Sequence, residues 1–169
     1  DSLTLFEGCY NLKNVILPKS KNDNLKNLTK MFSNCGNLTS LSFENFDTSK
    51  VEKMDSTFEK CKNLLFVDFT KNDFTNLKNI SNLFHDCSNL KSIDLSFLSN
   101  INIQDLSGLF LNCDLLESVN IEKVNLKSVT SLSGIFENCA SLTSLNLDID
   151  TSNIEYMDHL FYGCKNLES

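Results

Sequence analysis

The sequence predicts an α/β solenoid of about six 26-residue units. Each unit would pair one short strand with one short helix, stacking a parallel β-sheet on one face and short α or 3₁₀ helices on the other. Three observations carry this. The seven cysteines stand at 9, 35, 61, 87, 113, 139 and 164, which is a spacing of 26 five times and then 25. A Phe precedes each by three residues (Phe6, Phe32, Phe58, Phe84, Phe110, Phe136, Phe161), and a Leu follows each by three (Leu12, Leu38, Leu64, Leu90, Leu116, Leu142, Leu167). Within the unit, the apolar spacing changes from two to three and four residues.

With the Phe as position 1, apolar residues recur at positions 1, 4, 7, 10, 12, 15, 20, 23 and 26. Phe32, Cys35, Leu38, Leu41, Phe43, Phe46, Val51 and Met54 show the pattern in one unit. Positions 10 and 12 alternate with polar neighbours, which is the signature of a short strand. Positions 20, 23 and 26, running into the next Phe and Cys, keep helical spacing. Ser49-Lys50-Val51-Glu52 and Ser152-Asn153-Ile154-Glu155 read as capping boxes for that helix. Gly8, Asn34, Lys60, Asp86, Asn112, Asn138 and Gly163 precede the cysteines, and Gly, Asn and Asp suit the left-handed conformation that ends a helix. Gly108, Gly134 and many Ser lower helix propensity, so the helices are expected to be short or partly 3₁₀. Helices ~10 Å wide stacked beside strands ~4.8 Å apart would curve the array modestly, strands innermost.

Composition limits function. Of 169 residues 41% are apolar and 22% charged, which fits one folded domain spanning 1–169. Mean hydropathy is −0.16 and no apolar run is long enough to span a membrane. The formal charge is −7, with pI about 4.8, and every basic residue is Lys. A nucleic-acid or anionic-membrane partner is thereby disfavoured.

Leu38-Thr39-Ser40-Leu41-Ser42-Phe43 and Leu142-Thr143-Ser144-Leu145-Asn146-Leu147 match the strand half of a leucine-rich repeat. The customary Asn of that motif is missing, with Phe46, Leu98 and Val124 at or near its place. Asp47-Thr48-Ser49-Lys50-Val51-Glu52-Lys53-Met54 and Asp150-Thr151-Ser152-Asn153-Ile154-Glu155-Tyr156-Met157, with Met31-Phe32, continue the unit. Together they give the pattern D-T-S-x-V-x-x-M-x-x-M-F-x-x-C-x-x-L. In this the chain resembles the BspA-like leucine-rich repeat proteins of microbial surfaces, from end to end, although its middle units have lost the D-T-S and Met residues. The resemblance implies an extracellular or surface-displayed repeat domain associated with adhesion and protein binding. It carries over no catalytic residues.

Several constellations have plain structural readings. Seven cysteines in one equivalent position cannot converge on zinc or adopt opposed disulfide geometry, so they read as small buried residues. His85 and His159 fall in different columns and assemble no catalytic group. Asn11, Asn37, Asn63, Asn89 and Asn166 read as side chains bonding backbone at the turn into each strand. No catalytic, cofactor or metal residue is assigned, and no cofactor is expected.

The outward strand positions are the informative surface. They run Asn14, Ser40, Phe66, Ser92, Ser118, Ser144, then Ile16, Ser42, Asp68, Asp94, Asn120, Asn146, then Pro18, Glu44, Thr70, Ser96, Glu122, Asp148. Phe66 interrupts small polar residues, and Asp68 and Asp94 should be neighbours. Phe66, Asp68, Asp94, Ser92, Asn120 and Asn146 are therefore the candidate partner-binding residues. The expected function is non-catalytic recognition of a protein or glycan, with host molecules among the candidates, at a cell surface. A structural stalk presenting another domain and an intracellular scaffold remain as alternatives. The chain opens late in one unit and stops while entering another strand, so it reads as a segment of a longer array whose uncapped ends self-associate.

Overall fold

The computed structural model describes residues 4–19, 21, 24–99, 101–121, 124–146 and 150–168. Glu122, Leu147 and Asp148 of the strand pattern lie outside the described residues. The chain winds in coils. Four three-residue strands line one face: β1 (Ser40–Ser42), β2 (Phe66–Asp68), β3 (Ser92–Asp94) and β4 (Ser118–Asn120). β1 pairs with β2 in parallel, Ser40 opposite Phe66, and β3 pairs likewise with β4, Ser92 opposite Ser118. Leu41, Val67 and Ile93 point inward and are buried, while Ser40, Phe66, Ser92 and Ser118 face solvent, as the alternation predicts.

Two expectations fail here. The sheet is not continuous, because no strand pairing joins β2 to β3. Among the described residues, 14–18 and 144–146 form no strand either.

The helical half is a larger correction. Among the described residues there is no α-helix, and the one 3₁₀ turn, Ser96–Leu98, follows β3 instead. Alternate amides divide the work. Leu28, Lys30, Phe32 and Asn34 donate to the carbonyls of Lys53, Asp55, Thr57 and Glu59 in the next coil, at 2.8–3.1 Å. Between them, Met31, Ser33 and Cys35 close turns onto Leu28, Lys30 and Phe32 at 3.0–3.1 Å. The same alternation repeats from Met54 to Lys60 and from Ile80 to Asp86. A helix would consume all these donors internally. Left-handed residues at the third place of alternate turns, Lys30 and Asn34 in this coil, prevent it, as in type II turns.

One left-handed column is the one expected: Gly8, Asn34, Lys60, Asp86, Asn112, Asn138 and Gly163 all have positive φ. A second lies four residues earlier, at Lys30, Ser56, Asn82, Gly108, Gly134 and His159. Chains of three-residue turns place side chains at the same three-residue spacing as one helix face, which is why the pattern read as helical. The predicted capping boxes dissolve with the helix. The Asp47 carboxylate accepts the Ser49 amide (3.0 Å), the Thr48 hydroxyl reaches the Asp73 carbonyl (2.7 Å), and Glu52 pairs with Lys26 (3.0 Å). Asp150 likewise accepts the Ser152 amide at 3.0 Å. Coils on the turn face thus sit at hydrogen-bonding distance, and the helix width behind the expected curvature is absent among the described residues.

The core is columnar. Phe6, Phe32, Phe58, Phe84, Phe110, Phe136 and Phe161 stack with centroids 5.2–5.9 Å apart and interplanar angles of 2–16°, within the favourable offset-stacked range. Each thiol from Cys35 to Cys164 donates to the carbonyl of a column Phe in the coil before it, at 3.0–3.2 Å. All seven cysteines are free; five are buried, Cys164 is partly exposed and Cys9 is exposed.

Candidate partner-binding site on the strand face

Short strands fix their outward side chains on a grid set by pleat and spacing. On that grid the structure groups the six candidate residues around two adjoining depressions. A cleft of about 370 Å³ lies between β2 and β3 and is lined by Phe66, Asp68, Ser92 and Asp94 with Thr70, Ser96, Asn72 and Phe97, over Val67, Phe69 and Ile93. A shallower depression of about 450 Å³ is lined by Ser92, Asp94, Asn120 and Asn146 with Ser118 and Val119. Ser92 and Asp94 border both.

The cleft exists because the sheet is split. Between β1 and β2, Leu65 donates to Thr39 and Phe43 to Asp68; between β3 and β4, Glu117 donates to Lys91 and Leu95 to Asn120. No corresponding bond joins Lys91 to Leu65 or Phe69 to Asp94. At the same level Leu95 leaves extended geometry (φ −92°, ψ 13°) to start the 3₁₀ turn. That turn sets the Phe97 ring 4.6 Å from Phe69 and 5.2 Å from Phe74.

The rim is polar and negatively charged. Phe66 is 56% exposed beside it. Asp68 accepts both the amide (2.9 Å) and the hydroxyl (2.7 Å) of Thr70, and these bonds hold its carboxyl below the usual range. Asp94 accepts the Ser96 amide at 2.8 Å and the Asn120 side-chain amide at 3.1 Å. Lys71, the nearest cation to Asp68, is held by Glu44. The Asn72 side-chain amide donates to the carbonyls of Phe43 (2.9 Å) and Phe46 (3.0 Å), leaving its Oδ1 buried without a hydrogen-bond partner.

Asn72 and Phe97 were missed by the sequence reading, though both carried a signal. Asn72 stands in a column with Ser20, Phe46, Leu98 and Val124, and Phe97 in one with Lys19, Asn45, Lys71 and Lys123. Asn72 therefore stands at the place that Phe46, Leu98 and Val124 fill in other units, at or near that of the customary repeat Asn. The other Asn column needs correcting as well. Asn63 donates to Asn37 (3.2 Å) and Asn89 to Asn63 (3.1 Å), side chain to side chain, whereas only Asn166 reaches backbone, at Ala140 (2.9 Å).

His85 lies 3.6 Å from Asp86, and His159 lies 3.6 Å from Glu137, both on the turn side rather than the strand face. Among the described residues no three acidic, His or Cys side chains gather as a metal site, and no helix is long and apolar enough to cross a membrane.

The fold is that of a leucine-rich repeat solenoid. A leucine-rich repeat protein from Eubacterium ventriosum superposes with TM-score 0.54 at 22% identity, covering 76% of this chain and 31% of that one. The T. pallidum leucine-rich repeat protein gives 0.53 at 21% identity, covering 91% and 77%. One from Bacteroides ovatus gives 0.51 at 20% identity, covering 90% and 43%. The chain thus spans under half the length of the first and third. Comparison with curated proteins by sequence returns no match. One family profile matches at residues 2–102 and again at 78–169, so that the matches span nearly the whole chain: it belongs to the family described as Mycoplasma protein of unknown function, DUF285.

Proposed function

We propose that this chain is a non-catalytic recognition module, of the adhesin type, that binds a partner protein or glycan on its strand face outside a cell. The observation that supports it is the meeting of Phe66, Asp68, Ser92, Asp94, Asn120 and Asn146 around two adjoining depressions. An exposed aromatic ring beside fixed polar groups is the composition of a binding hot spot. The BspA-like resemblance supports the surface location, and the repeated F-x-x-C-x-x-L unit supports an array of about six 26-residue turns.

The test is a binding panel of extracellular-matrix proteins and glycans against the native chain and a Phe66→Ala/Asp68→Asn/Asp94→Asn variant. Loss of the native signal in the variant is expected, with Phe66→Ala alone costing ~1–3 kcal/mol and leaving the melting temperature unchanged. The two Asp→Asn changes should slow association and flatten its salt dependence. A ligand that binds the triple variant equally well moves the site to another face. If no ligand binds the native chain, the repeats serve as a stalk.

A further inference from the structure

The cleft between β2 and β3 has a chemistry more specific than the face around it. Two carboxylates, those of Asp68 and Asp94, line it from the two strand edges, beside the hydroxyls of Thr70, Ser92 and Ser96, and no lysine lines it. Phe66 sets an exposed apolar ring at the rim. Volume matters too. About 370 Å³ suits one side chain, and β2 and β3 remain neighbours, so the cleft has no room for an added strand.

We infer that the split between β2 and β3 is a socket for an arginine side chain presented by a partner protein. A guanidinium is planar, carries five donors in a fixed fork and stacks on aromatic rings. Its donors would meet the two carboxylates while its plane lies against Phe66. A lysine ammonium has three donors at one point and cannot reach acceptors spread along both strand edges. Charge agrees, since the chain carries −7 overall. The nearest cation of its own, Lys71, is already held by Glu44. None of the 169 residues is an arginine, so a second copy of this segment does not supply the guest. The inference rests on the recognition reading above and narrows it to one partner chemistry.

The experiment is a titration of the isotope-labelled chain, followed by amide NMR shifts, with a short arginine-containing peptide. The same peptide carrying lysine or neutral citrulline at that position is the comparison. Saturating shifts are expected at Phe66, Asp68, Phe69, Asp94 and Ser96, with lysine and citrulline weaker by about tenfold or more. Asp68→Asn/Asp94→Asn should weaken the arginine peptide by about tenfold while leaving the free spectrum otherwise unchanged. Equal shifts with citrulline, shifts mapping to another face, or no shift at high peptide concentration would each overturn the socket. Failure here alongside a matrix or glycan ligand still lost in Phe66→Ala removes the socket alone. Failure of both removes the recognition face as well.

Discussion

A buried thiol in this chain is a hydrogen-bond donor as much as a filler. Its S–H reaches a Phe carbonyl one coil back, and losing either the bond or the volume leaves the column imperfect. Cys87→Ala should therefore cost only ~1–2 kcal/mol, while Cys87→Asp, which buries an unpartnered charge, should unfold the middle coils. Burial also sets reactivity. It pushes Cys35 up to about 11 and Cys139 up to about 12, and drives Cys87 and Cys113 well above the ordinary 9.0. Counting thiols with a maleimide should find Cys9 labelled at once, Cys164 more slowly, and the remaining five only after denaturant. Rapid labelling of those five in the native chain would contradict the packing. The same shifts predict an alkaline weakness. The folded chain holds these protons more tightly than the unfolded chain, so their stabilisation is complete below pH 9.0 and is lost as pH rises through about 11. Urea midpoints should fall between about pH 8 and about pH 10.5, and less steeply in Cys35→Ala, where one such proton is removed.

At the scale of the element, the turn half depends on two left-handed positions per coil rather than on helix propensity. Gly108 and Gly134 share one of these columns, at φ +61° and +64°. Alanine at either must adopt a conformation that costs ~1–2 kcal/mol. The sites differ in space. A Cβ at Gly134 meets nothing closer than 3.4 Å, whereas one at Gly108 would fall 2.3 Å from the Asn82 side-chain oxygen. Gly134→Ala should lose about 1 kcal/mol, and Gly108→Ala should lose more. Adding Asn82→Ala should then recover part of the Gly108→Ala deficit beyond simple additivity. Chemical denaturation of the four variants reads this directly, and equal losses at the two glycines would show that the Asn82 contact is immaterial.

For the whole molecule, the coil-to-coil bonds run both ways. Through the Phe-Cys turns alternate N–H groups, as at Leu28, Lys30, Phe32 and Asn34, donate to the following coil, whereas Glu52, Lys53, Lys78 and Asn79 donate to the preceding one, so each end of the stack presents donors and acceptors. Apolar groups accompany them: Tyr156, Met157, Phe161 and Tyr162 at one end, Leu5 and Tyr10 at the other, all exposed. A polypeptide of these 169 residues should associate head to tail, continuing the Phe column across the junction. Sedimentation should show weight-average mass rising with concentration, and Tyr162→Glu should suppress the rise. A strictly monomeric chain at millimolar concentration would overturn this.

The sequence alone determined the column structure. Phe, Cys and Leu recur in register because each coil must offer the next an identical apolar face, and a repeated constraint writes a repeated letter. The residues before the cysteines were legible for a similar reason, since only a few side chains tolerate positive φ. The outward grid of Phe66, Asp68 and Asp94 followed from strand alternation. What the tertiary structure decided was how each coil spends its backbone hydrogen bonds. Spacing of three fits a helix and a chain of turns equally well. The choice fell to turns because alternate amides can then bond the neighbouring coil, a partner no local pattern displays. The split between β2 and β3 was likewise invisible. It depends on the pairing between two coils, where Leu95 leaves the strand, Phe97 meets Phe69 and Asn72 replaces an apolar residue. Each is a small local departure, and only their adjacency makes a cleft.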